Sequence, residues 1–84
     1  MASKLIFLSS ATEELKKLPR NVQIRVAKAI DDLEAFPIRR IGIVKLKPPF
    51  DGYRKRVGDY RILFDYADDT VYVQRITDRK DAYR

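Results

Sequence analysis

Residues 53 to 76 constrain the fold more than any other part of this chain. Three blocks, Tyr53–Val57, Tyr60–Tyr66 and Thr70–Ile76, are rich in Val, Ile, Tyr and Phe. Gly58-Asp59 and Asp68-Asp69 lie between them. Alternating blocks of this length, parted at hairpin spacing, predict three antiparallel strands. Successive strand side chains point to opposite faces. Tyr53, Lys55 and Val57 therefore share one face of the first strand, and Arg54 and Arg56 share the other. In the second, Tyr60, Ile62, Phe64 and Tyr66 form a large apolar set that calls for a cover. Arg61, Leu63 and Asp65 face away from it.

The first half of the chain supplies the cover. Leu5-Ile6-Phe7-Leu8 reads as a short strand ending at Ser9-Ser10. Ser10, with Glu13 three residues on, has the form of a capping box. It opens a helix carrying Ala11, Leu15 and Leu18 on one face, which Pro19 stops. Asn21 caps a second helix whose apolar positions Val22, Val26, Ala29, Ile30, Leu33 and Phe36 recur at steps of three and four, with Pro37 ending it. Two helices parted by one Pro form a helical hairpin, and a sheet is the natural surface for their apolar stripes. Ile41–Leu46 is either a short strand or an extended approach, and "KPPFDG" at 47–52 is a turn-rich break. The expected fold is α+β, in the order β-α-α-β-β-β, with the helical hairpin packed on one face of a mainly antiparallel sheet.

With 84 residues the chain is expected to form a single domain, 1–84, and 45% hydrophobic content provides for a core. It has no cysteine and no histidine, which removes thiolate and imidazole metal ligands and the commonest general base at neutral pH. The reading calls for no cofactor and no metal. The apolar run near the N-terminus is too short for a secretory or membrane segment, so a cytoplasmic protein is expected.

The net charge of +6 is unevenly placed. Residues 1–36 carry +1 and residues 62–84 carry −1, whereas residues 37–61 hold eight cations against two acids. A field concentrated in this way favours a polyanion or an acidic protein partner. If the strands pair through the short turn, Arg54, Arg56 and Arg61 converge on the helix-free face. Stiffly held guanidiniums there suit a phosphate backbone. Charge on strands also serves to block edge-to-edge aggregation, and a solvated sheet face is the plainer explanation. Clustered like charges cost stability, however, which favours a functional role. Lys16, Lys17, Arg20, Arg25 and Lys28 read as a solvated helix face.

In element order over its whole length, and most specifically from Leu46 to Tyr83, the chain resembles the RelE-type toxins of bacterial type II toxin–antitoxin modules, within the RelE/ParE superfamily. The resemblance is carried by "KLK", by "GYRKRVGDYRILFDYADDTVYVQRI" and by the terminal "R-K-D-x-Y" in combination. It implies a RelE-like fold of the order already given. It further implies an endoribonuclease that cuts mRNA in the ribosomal A site, held inactive by a cognate antitoxin in a hetero-oligomer. By motif, the implied catalytic residues are Arg54, Arg56, Arg61, Arg79 and Tyr83, with Lys45, Lys47, Lys55 and Lys80 as additional RNA contacts. Some relatives carry Lys where this chain has Arg54 and Arg56, and many carry His where it has Asp78. Arginine is a poor base, since its pKa exceeds about 12. Tyr83 is the base candidate if neighbouring guanidiniums lower its pKa from about 10. It could equally pack or fray at the chain end. Two other readings compete: a ParE-like poison of DNA gyrase, and a degenerate toxin that retains only antitoxin binding.

Overall fold

The computed structural model describes residues 4–49 and 51–78. Strand β1 (Lys4–Phe7) leads into helix α1 (Ser9–Lys16) and helix α2 (Arg20–Asp32), which a 3₁₀ turn, Leu33–Ala35, extends. Strands β2 (Ile43–Lys45), β3 (Tyr53–Val57), β4 (Tyr60–Ala67) and β5 (Thr70–Asp78) follow. The five strands form one sheet in the order β1-β5-β4-β3-β2. β1 runs parallel to β5, and the other neighbours are antiparallel. Of the stretch at 41–46 only Ile43–Lys45 is strand, one strand more than the expected order contained.

The alternation read from the sequence sets the core. Ile62, Phe64, Val71, Val73 and Ile76 of the sheet are buried with Ala11, Val26, Ala29, Ile30, Leu33 and Phe36 of the helical segment. Phe36 is the hub. Its ring meets Tyr53, Phe64 and Tyr66 edge-on at 4.9, 5.3 and 5.1 Å between centroids, a favoured aromatic arrangement. The turns obey backbone chemistry. Asp68 and Asp69 both have positive φ, as a type I′ hairpin turn requires. Gly52 enters β3 at φ +90°, and a Cβ there would lie 2.6 Å from the Phe64 carbonyl oxygen, so only glycine fits.

Both expected helix caps are corrected. Leu8 occupies the N-cap of α1 and Pro19 that of α2, and neither supplies a side-chain hydrogen bond. Ser10 lies inside α1, where its hydroxyl donates to the Gln74 carbonyl oxygen at 3.1 Å. Asn21 lies inside α2. The chain follows Pro19 directly into helix because fixed proline geometry suits a helix start.

That use of Ser10 belongs to a larger device. β1 covers β5 only from Thr70 to Val73, with one further bond from the Leu8 N–H to the Val73 carbonyl oxygen. Beyond it, α1 takes over the open edge of β5. Ser10 meets the Gln74 carbonyl, and the Glu14 carboxylate accepts the Ile76 N–H at 2.8 Å. A register shift opposite Leu63/Phe64 accompanies the change of partner.

Candidate nucleic-acid interface

The β3–β4 hairpin positions the arginines. Arg56 pairs directly with Arg61, and Arg54 with Leu63, so Arg54, Arg56 and Arg61 share one sheet face. It is the face opposite Tyr53, Ile62 and Phe64, which meet the helices. Directly opposed residues hold their Cβ atoms about 5 Å apart, and like charges so placed destabilise a sheet. Arg56 is exposed, while Arg54 and Arg61 are half-buried. Next to them a groove of about 310 Å³ is lined by Gly42, Ile43, Val44, Arg54 and Arg56. Its walls combine guanidinium groups with apolar surface.

Not every basic residue read from the sequence joins this face. Lys55 pairs with Ile62 on the helix side, and its ammonium donates to the Ile41 carbonyl oxygen at 3.2 Å. Lys45 pairs with Tyr53 and stands on that same side. Lys47 is exposed in the segment after β2. Arg79, Lys80 and Tyr83 lie outside the described residues. Arg25 reaches further than a solvated helix charge: its guanidinium lies 3.0 Å from where a Cβ on Gly58 would stand, over the β3–β4 turn.

Sequence reasoning passed over Tyr72. Val71 and Val73 are buried on the helix side, so Tyr72 between them, opposite Asp65, stands half-buried on the arginine face. The alternation of β5 already carried that signal. Tyr66, by contrast, packs against the core on the helix side. Burial, and then the Asp69 carboxylate that accepts its O–H at 3.0 Å, push its phenol up from the usual value, away from service as a base.

Glu14 and Arg75 were also missed, and no local signal marks a pair 61 residues apart. Arg75 donates through Nε and Nη2 to the Glu14 carboxylate, the shortest contact being 2.8 Å. Burial works to raise the Glu14 carboxyl. The hydrogen bonds from Arg75 and Ile76, with the charges of Arg75 and Lys17, outweigh it and hold the group below its ordinary value. Arg75 is correspondingly raised, first by its hydrogen bond to Glu14 and then by that carboxylate's charge. The pair locks α1 to β5 beside the face that carries Arg61.

The profile of the family described as "ParE toxin of type II toxin-antitoxin system, parDE" matches residues 5–83. The chain belongs to this family. Among curated proteins it is 29% identical to Toxin RelE3 of Methanocaldococcus jannaschii, over 95% of this chain and 94% of that one. Among solved structures it is similar to the RelB-RelE antitoxin–toxin complex of Methanococcus jannaschii, with a TM-score of 0.76 at 27% identity over 93% of this chain and 94% of that one. It is similar too to the RelBE2 toxin–antitoxin complex of Mycobacterium tuberculosis, with a TM-score of 0.80 at 26% identity over 94% of this chain and all of that one. The chain is a RelE-type toxin of the RelE/ParE superfamily.

Among the described residues no group of acidic side chains is arranged to hold a metal ion. No helix among them is long and apolar enough to cross a membrane.

Proposed function

We propose that this toxin is a ribosome-dependent endoribonuclease that cuts mRNA in the A site, and that a cognate antitoxin binds and restrains it. The observation that carries the reading is the cross-strand pair Arg56–Arg61, with Arg54 two residues away on the same helix-free face. Guanidinium groups gathered on one sheet face suit a phosphate backbone. Cleavage proceeds by attack of a 2′-oxygen on the adjacent phosphorus as the 5′-oxygen leaves and takes up a proton from water, and negative charge builds on the non-bridging oxygens. Guanidiniums held on paired strands meet that charge without having to be ordered first. They do not remove the 2′-proton, since arginine stays protonated. Tyr83 remains the proposed base and Arg79 a further phosphate contact, both from sequence. The ribosome supplies alignment of the message, a large share of the barrier in a step of this kind.

The family description favours a second reading, a ParE-like toxin acting on DNA gyrase. Two assays separate them. Addition of the toxin to a translation extract with a defined message should yield cleaved mRNA, while purified gyrase should go on supercoiling DNA at toxin excess. Gyrase inhibition with intact message would reverse the assignment. Intact message together with active gyrase would leave the degenerate toxin, a binder of antitoxin alone.

A further inference from the structure

The groove of about 310 Å³ beside the arginines is built from two cross-strand pairs of β2 and β3. Val44 lies directly opposite Arg54. Two residues along the same register, the Arg56 N–H donates to the Gly42 carbonyl oxygen, which sets Gly42 beside Arg56. Val44, Gly42, Arg54 and Arg56 thus share the helix-free side of the sheet. Ile43 pairs with Lys55 and packs towards the core, so it lends the groove its backbone.

The walls are of two kinds. Val44 is an aliphatic side chain 50% exposed on an open face. Gly42 adds no side chain, and a Cβ there would meet nothing within 4 Å, so the space over it is clear. Two guanidiniums face this apolar floor, and no carboxylate is among the lining residues. Val44 and Gly42 stand about 6.6 Å apart along the strand. A phosphate is met by the guanidiniums alone and leaves the floor uncovered. A nucleobase uses both parts. It lays a flat apolar face on Val44 and across the gap at Gly42, while a guanidinium plane stacks on it or donates to its edge. Arg56 ties the groove to the phosphate site, since it neighbours Gly42 on one side and Arg61 on the other.

We propose that the β2–β3 groove receives one unpaired base of the message, from the nucleotide adjoining the phosphate held at Arg56 and Arg61, with Val44 as its apolar wall. The proposal rests on the reading of the arginine face as an RNA site. Attraction by cations alone is indifferent to the bases, whereas this groove makes binding depend on one.

The test compares binding of the full-length toxin to a short single-stranded RNA and to the same ribose-phosphate chain without bases, by fluorescence anisotropy at fixed salt. The RNA should bind about tenfold more tightly. Val44→Ser should lower the affinity for RNA about threefold and leave that for the abasic chain unchanged, with the fold checked by circular dichroism. Arg56→Ala should weaken both. A second measurement needs no variant: with 4-thiouracil placed at each position of the RNA in turn, ultraviolet crosslinks should map to residues 42–44. Equal affinity for the two chains would overturn the proposal. So would crosslinks confined to another part of the face, such as Tyr72, or a toxin dimer that keeps the groove covered when RNA binds. Should neither chain bind, the RNA reading beneath the proposal fails, and the proposal with it.

Discussion

Glu14 of α1 and Arg75 of β5 are joined by hydrogen bonds from both Nε and Nη2 of the guanidinium, and the same carboxylate accepts the Ile76 N–H at 2.8 Å. One side chain therefore ends the exposed edge of a strand and neutralises the cation next to it. Most surface ion pairs contribute little. This one differs because a backbone donor of a buried residue depends on it. Glu14→Ala should destabilise the fold by about 1–3 kcal/mol, the cost of leaving that N–H unmet. Arg75→Ala should cost less, since the Ile76 bond survives. Urea unfolding of the two variants checks the order.

The same carboxyl gives stability a pH dependence. Its folded pKa lies below its ordinary value of 4.5. A carboxylate depressed on folding contributes stability that is complete above its unfolded pKa and is lost as pH falls through the folded one. Melting temperature should therefore decline with acidification below about pH 4.5, and Glu14→Gln should flatten the decline. An unchanged profile in Glu14→Gln would place the dependence elsewhere.

Gly52 and Phe36 test the positioning of the arginine hairpin. A Cβ on Gly52 would sit 2.6 Å from the Phe64 carbonyl oxygen, in a backbone conformation with φ +90°. Gly52→Ala should cost more than about 2 kcal/mol, since β4 backbone would have to move. Phe36→Ala removes the ring shared by Tyr53, Phe64 and Tyr66 and should cost about 3–5 kcal/mol. Thermal unfolding measures both.

Much of this fold was legible because local pattern and tertiary role agree. Tyr53–Val57 forms β3 with the bounds read from its alternation, and the Asp68-Asp69 turn lies where its residue types put it. The opposition of Arg56 and Arg61 followed from the length of the Gly58-Asp59 turn. The α1 cap departs from the sequence expectation because Ser10 gives its hydroxyl to a strand 64 residues away. The Glu14–Arg75 pair is likewise a product of sheet order, which a single sequence does not print. Tyr72 is legible in the alternation of β5, between the buried Val71 and Val73. Arg79, Lys80 and Tyr83 rest on sequence resemblance.

Salt should separate attraction from chemistry. If the arginine face contacts phosphates, Arg54→Ala and Arg56→Ala should each reduce the salt dependence of toxin binding to a short RNA, because each removes about one released counterion. A slope that does not change in either variant would show that these guanidiniums do not meet phosphate.

The central claim is that guanidiniums fixed on paired strands stabilise the transition state of mRNA cleavage. It is met most directly by single-turnover cleavage of a defined message on programmed ribosomes, comparing the unaltered toxin with Arg61→Ala. The account predicts A-site cleavage by the former. It predicts a rate lower by about 10²–10³ for the variant, with ribosome binding largely kept and the fold intact by circular dichroism. Cleavage at an undiminished rate by a folded Arg61→Ala toxin would contradict it.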